Sequence, residues 1–359
     1  MASSITDVPG IRVGQVQKTG AGWLTGVTVV LPPPGTVGAV DVRGGGPATH
    51  ETDALDPTTL VPTVDAVVLA GGSAFGLIAA HGAQRWLEEQ GQGFRTANAV
   101  VPIVPAAAIY DLGRGGDIAA RPDEQMGYDA AASAGAMQDF GAVQRGNVGA
   151  GTGAALGFQQ YKGGVGTASL RMSGANDAVV VGALAVVNAA GMPFHGGVSG
   201  AGGLHTGAAR PGRPPQGEGA GGLGRAPGEG AAGLGRPRGV DAAGLGRAPG
   251  EETAPLNTTL CVVATNAVLD PAQAKRTASA AHAGLARALS PSHTLMDGDV
   301  VFALATGQQQ LVQEGPMDAR AELHVLAAEA VTAAIRDAVV SAERVEGSGV
   351  VLEKYPYPD

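Results

Sequence analysis

The chain has 359 residues, 44% of them hydrophobic, which is enough for one large domain or two modest ones with a real core. Its net charge of −9 argues against nucleic acid or an anionic membrane as a partner, and its one cysteine excludes an internal disulfide framework and a multi-thiolate zinc site. The charge is uneven: residues 202–250 hold six Arg against Glu218, Glu229 and Asp241, so that segment is +3 and the remainder −12.

The first residues, MASSITDVPG, lack a basic region followed by an apolar one, so no secretory leader is expected and a cytoplasmic location is. Residues 11–13, 24–31 and 37–42 read as strands, the second stopped by three prolines and the third by Gly44, Gly45 and Gly46. That glycine run is either a tight turn or a loop that something approaches closely. Residues 64–70 are a buried strand, then a glycine turn, then helical spacing over 77–89, an α/β signature. Ser73 is expected to cap that helix; Phe75 stands where a nucleophile elbow needs glycine.

Residues 100–109 predict a strand interrupted by two prolines and ending in Tyr110 and Asp111. A small-residue helix is expected over 129–140, and the glycine loops 148–153 and 163–169, which bracket Lys162, read as strand-edge turns because neither has a phosphate-loop ending. Residues 179–187 form another buried strand ending at Asn188; with Ala178 this longest apolar run is about half of the ~20 residues a membrane helix needs. Residues 202–250 differ in kind. GLGRAPGE at 222–229, GLGRPRG at 233–239 and GLGRAPGE at 244–251 are near copies with almost no large apolar side chains, and a disordered insertion is the expectation.

The stretch PLNTTLCVVATNAVL, residues 255–269, carries most of the chemistry. Residues 260–264 are a short apolar, β-branched run of the kind buried on both sheet faces, so Thr258 and Thr259 stand at the mouth of a core strand. Cys261 lies inside that run as a small buried hydrophobe. Asp270-Pro271 reads as an N-cap with proline at the first helical position, the helix running to about Leu289 and carrying His282 as a packing residue. Asp297 and Asp299 flank Gly298 just before a strand at 300–305, where two carboxylates are held close together. A last helix is expected over 319–341.

Together TDVPGIRVG, VDVRGGGPATHETDAL, VVLAGGSAFGL, NVGAGTG with KGGVGTAS, and NTTLCVVATNAVL with MDGD resemble the P1 (DmpA-like) family of self-processing aminopeptidases, Peptidase family S58. The resemblance covers residues 6–200 and 253–345, and the NTT and HTLMDGD stretches also resemble its nylon-oligomer hydrolase branch. It implies an N-terminal-nucleophile-like αββα sandwich, one domain with an insertion, and cleavage between Asn257 and Thr258 into an α chain of residues 1–257 and a β chain of residues 258–359. Thr258 would then be the nucleophile and its free amine the base, with a reference pKa of about 7.7 to 8.0 suited to neutral pH. Asp297 and Asp299 would orient Thr258, Asn188 would donate to the oxyanion, and Tyr110 and Lys162 would complete the site. The substrate would be a small peptide, β-peptide or 6-aminohexanoate-type oligomer. No cofactor or metal is implied, and a homo-oligomer of αβ units is. Two alternatives remain at this stage: an acyltransferase of the ornithine acetyltransferase type, whose usual methionine after the threonine is absent here, and a non-enzymatic protein binding through the Gly/Pro/Arg repeats.

Overall fold

Alternate residues of one strand point to different cores, and that single fact sets the layering. In the computed structural model, which describes residues 3–194, 257–313, 316, 318–347 and 350–357, the two main sheets each have five strands. In chain order the strands are β1 (Arg12–Gly20), β2 (Trp23–Leu31), β3 (Val37–Val42), β4 (Thr49–His50), β5 (Val67–Ala70), β6 (Ala106–Ala108), β7 (Gly164–Arg171), β8 (Val180–Asn188), β9 (Thr258–Ala267) and β10 (Val300–Gln309). The four long helices are α1 (Ala79–Glu89), α2 (Glu124–Ala136), α3 (Pro271–Ala288) and α4 (Ala319–Ser341). One sheet runs β1-β2-β5-β6-β4 and the other β7-β8-β9-β10-β3.

Along β9, Leu260, Val262 and Ala264 enter a core that also holds Val30, Val67 and Leu69 of the other sheet, whereas Cys261 and Val263 pack with Ala278, Leu285, Leu323 and Val331 of α3 and α4. A third core joins Val29, Val68 and Ala70 of the first sheet to Ala83, Leu87, Met126 and Ala130 of α1 and α2. The order is helices, sheet, sheet, helices: the αββα sandwich expected. The strand is buried on both faces because a layer covers each face, which is why its sequence is apolar without alternation.

Several elements match the sequence reading closely. β3 and α4 keep their expected bounds, β9 is the central strand of its sheet, and α3 starts with a capping box in which Asp270 accepts from Gln273 and Gln273 from Asp270. Others shift. α2 begins at Glu124 rather than 129, because the Asp123 carboxylate accepts the Met126 N–H and caps it there. Residues 100–109 form two short strands, Val100–Val101 and β6, divided by the prolines. Gly72 rather than Ser73 is the N-cap of the turn that precedes α1, and it holds φ 78°. The stretch 163–169, expected as a turn, is most of β7; its Gly166 permits α4 to lie on the strand, since a Cβ there would fall 2.1 Å from the Ala338 nitrogen. The repeats at 202–250 lie outside the described residues.

Candidate active site

Two strand ends and three connections meet at one rim of the space between the sheets: the start of β9, the end of β8, the loop before β10, the loop after β6 and the turn after β5. Antiparallel pairing puts Thr258 opposite Asn188, and directly opposed residues project from the same face. Both share the parity of Leu260 and Val186, which face the other sheet. Both are buried, with 4% and 0% exposure.

Thr258 is tied to the peptide bond before it. Its Oγ1 donates to the Asn257 carbonyl oxygen at 2.6 Å, and the Gly298 N–H donates to the same oxygen at 2.8 Å. That carbonyl is therefore polarised by two donors, one of them the hydroxyl beside it. Glycine at 298 leaves room for the threonine: a Cβ would lie 2.7 Å from Thr258 Oγ1. The run Gly44, Gly45 and Gly46 is a close-approach loop rather than a free turn. Its N–H groups donate to carbonyls of Thr294, Asp297 and Asp299, and a Cβ on Gly44 would fall 2.3 Å from backbone atoms of that loop.

The two carboxylates hold this loop and the strand start. Asp299 accepts the Thr259 N–H at 2.7 Å through Oδ1, and through Oδ2 it accepts the His293 N–H at 2.9 Å and stands 2.9 Å from His293 Nδ1. Asp297 accepts the Thr294 N–H at 2.8 Å, and its backbone bridges Asn257. Burial raises the Asp297 pKa, and the Asp299 charge raises it further. His293, at φ 57°, has its pKa raised by the hydrogen bond and charge of Asp299. Its ring meets His282 edge-on with centroids 4.8 Å apart, and His282 Nε2 lies 2.9 Å from the Asp41 carbonyl oxygen.

Behind Asn188 lies a buried charged group. Lys162 is wholly buried, and its three ammonium protons go to the carbonyls of Gly151, Ala154 and Gly163 at 2.7, 2.9 and 2.6 Å. Burial first, and then the Arg114 charge, pull its pKa well below the usual lysine range. Arg114 donates to Asn188 Oδ1 at 2.6 Å and to the Gly153 carbonyl at 2.5 Å. Asp111 accepts the Gly72 N–H at 2.6 Å, and burial raises its pKa against the opposing pull of that bond and of Arg114. Tyr110 is half-buried beside them, its carbonyl accepting from Asn188 Nδ2 at 3.4 Å. A cleft of about 370 Å³ lined by Trp23, Leu24, Thr152 and Arg344 opens onto Arg114.

The fold thus brings Thr258, Asn257, Asn188, Asp297 and Asp299 together, with Tyr110 and Lys162 hydrogen-bonded to or through the Asn188 layer. Arg114 and His293 were missed. The one cue for Arg114 was a lone cation among glycines directly after a strand-end Tyr-Asp pair. Cys261 is fully buried and its thiol pKa is pushed up by burial, in keeping with a packing role. Among the described residues no cluster of His, Cys, Asp and Glu could hold a metal ion, and no helix is long and apolar enough to cross a membrane.

The model of Peptidase family S58 matches residues 3–351. The chain is 47% identical to an uncharacterised aminopeptidase of Mycobacterium bovis, over 99% of this chain and 98% of that one. It is 28% identical to a 6-aminohexanoate-oligomer endohydrolase of a Kocuria species, over 85% of this chain and 75% of the relative. Among solved structures it resembles the L-aminopeptidase D-Ala-esterase/amidase of Ochrobactrum anthropi, described as a variant of the Ntn hydrolase fold, at TM-score 0.68 and 21% identity, covering 98% of this chain and 91% of that one. A Burkholderia β-aminopeptidase superposes at TM-score 0.65 and 23% identity, covering 99% and 91%.

Proposed function

This chain belongs to Peptidase family S58 and is a hydrolase of peptide bonds, and we propose that it is a self-cleaving aminopeptidase whose nucleophile is Thr258. The observation that carries the reading is the Thr258 hydroxyl 2.6 Å from the Asn257 carbonyl oxygen, with the Gly298 N–H on that same oxygen. In self-cleavage Thr258 Oγ1 attacks the Asn257 carbonyl carbon and its proton passes to the departing nitrogen. The bond between residues 257 and 258 breaks and an ester joins Asn257 to the Thr258 oxygen. Negative charge develops on the oxygen that Gly298 already contacts, so little reorganisation is required. Water then hydrolyses the ester, leaving an α chain of residues 1–257 with a new carboxylate and a β chain of residues 258–359 with a free amine.

That amine is the base of the second reaction. It takes the Thr258 hydroxyl proton as the oxygen attacks a bound acyl group, and returns it to the leaving amine. Asn188, opposite Thr258, donates to the oxyanion from Nδ2. Asp299 fixes the start of β9 through Thr259, and once the chain is cut it and Asp297 favour the protonated amine. Tyr110 positions substrate, and Lys162 supplies buried positive charge while bracing three carbonyls. The substrate class that fits is the amino-acyl amide of a small peptide, a β-peptide or a 6-aminohexanoate oligomer, as the names of the relatives suggest. A cytoplasmic homo-oligomer of αβ units is part of the proposal.

Substrate class is decided by a panel of α-aminoacyl p-nitroanilides, β-aminoacyl amides and 6-aminohexanoate oligomers, with ornithine added as a competing acceptor. Hydrolysis that disappears in Thr258→Ala is expected. Acyl transfer to ornithine faster than hydrolysis would replace this reading with the acyltransferase one.

A further inference from the structure

An asparagine carboxamide serves as an oxyanion donor only if its nitrogen, and not its oxygen, faces the reacting atom. The two ends are nearly the same shape, so something must choose. Around Asn188 the choice is made on the oxygen side. Oδ1 accepts from Arg114 at 2.6 Å and from the Ala155 N–H at 3.1 Å, which fills both of its acceptor positions. Nδ2 is left on the side of the Tyr110 carbonyl, to which its one hydrogen bond among the described residues is long, 3.4 Å. The second N–H is therefore available at the rim where Thr258 stands in register with Asn188.

Arg114 is an expensive way to hold a side chain. It is 6% exposed, its Nη2 has no hydrogen-bond partner among the described residues, and burial pulls its pKa down to about 10. A buried donor left unpaired costs stability. The return is electrostatic: a cation donating into Oδ1 draws electron density out of the carboxamide and makes Nδ2–H a stronger donor, and burial weakens the screening by water.

We propose that Arg114 is a positioning residue for the hydrolytic reaction, fixing the orientation of the Asn188 carboxamide and polarising it toward the oxyanion formed when Thr258 attacks an acyl substrate. This rests on the reading of Thr258 as nucleophile and Asn188 as oxyanion donor. Because the effect appears only as charge develops on the substrate oxygen, it belongs to kcat and not to ground-state binding.

The test uses the full chain, with Arg114→Ala, Arg114→Lys, Asn188→Ala and the double variant Arg114→Ala/Asn188→Ala, assayed on an aminoacyl p-nitroanilide beside wild type and Thr258→Ala. The expected result is a kcat about 100-fold lower in Arg114→Ala with KM within about threefold, and partial recovery in Arg114→Lys. The double variant should be no worse than Asn188→Ala alone, since an arginine acting through Asn188 has nothing to act on once it is gone. Should Arg114→Ala fail to fold, Arg114→Lys alone decides: a kcat between about one-third and one-fiftieth of wild type with unchanged KM supports the assignment. Wild-type kcat in a folded Arg114 variant, a loss confined to KM, or fully additive losses in the double variant would overturn it. These outcomes stand apart from failure of the underlying reading, which would show as activity surviving in Thr258→Ala and would remove the proposal with it.

Discussion

The hydroxyl of Thr258 donates to the carbonyl oxygen of Asn257, the residue immediately before it, at 2.6 Å. The proposed nucleophile and the proposed scissile group are thus in contact before any substrate arrives. The third party is Gly298, whose N–H shares the carbonyl and whose missing side chain leaves room for the threonine. Gly298→Ala should process slowly, by about tenfold or more, because its Cβ would press on Thr258 Oγ1 at 2.7 Å and, less closely, on the Gly46 carbonyl oxygen at 2.9 Å. A time course of fragment appearance on a denaturing gel checks this, and processing at the wild-type rate would count against the contact.

Gly44→Ala should behave differently. Its Cβ would meet backbone at Asp297 and Asp299 rather than a side chain, so the expected result is a lower melting temperature and poor soluble yield, not a purely kinetic defect. A folded, equally stable Gly44→Ala would contradict the close packing of these two loops.

Lys162→Met separates a bracing lysine from one whose value lies in chemistry alone. Methionine fills similar volume but leaves the carbonyls of Gly151, Ala154 and Gly163 without their shared donor. The loss should be about 1–3 kcal/mol and not three times that, because the Gly151 carbonyl keeps the Ala154 N–H and the Ala154 carbonyl keeps the Gly163 N–H. Thermal unfolding of the precursor form, in a Thr258→Ala background, reads it directly. A melting temperature within a degree of the parent would mean that the lysine braces nothing.

The histidine pair predicts an acid-sensitive fold. Burial pulls the His282 pKa from 6.5 to about 4, so the folded state holds it neutral while the unfolded chain protonates below 6.5. Stability from this group is present above 6.5 and is lost as pH falls from there toward 4, by roughly 3 kcal/mol at most. His293 works in the other direction: its pKa is raised by Asp299, so its contribution is full below 6.5 and fades as pH rises through the higher folded value. The two windows do not overlap. Urea unfolding of His282→Gln and wild type between pH 7 and 4 should show the variant losing less stability; parallel pH curves would refute the assignment.

Much of the architecture was legible because β9, β8 and β10 are apolar on both faces, and only a strand between two layers reads that way. What escaped was hidden by glycine. In β7 a small residue is required where α4 lies against the strand at Gly166, and the same requirement brings α1 and α2 together: a Cβ on Gly82 would overlap the Glu124 carbonyl, and one on Gly127 the Ala79 carbonyl. Close packing of this kind looks like loop in a sequence, since the signal lies in what is missing. Within the site, Thr258 and the aspartate pair were visible at strand ends. Arg114 was not, because its side chain bonds Asn188, 74 positions away, and no local pattern reports a hydrogen bond across two layers.

Deleting residues 205–248 should leave expression and activity within about twofold, since that tract holds almost no large apolar side chains and so adds little to any core. Loss of soluble protein would show that it contributes to the fold.

The central claim concerns one bond, and intact mass spectrometry of purified protein tests it most directly. Wild type incubated at neutral pH should resolve into two polypeptides, residues 1–257 and 258–359, the second beginning Thr-Thr-Leu-Cys-Val, while Thr258→Ala remains one chain of 359 residues. A wild-type chain that keeps its full mass after prolonged incubation, or fragments that break anywhere other than between Asn257 and Thr258, would contradict it.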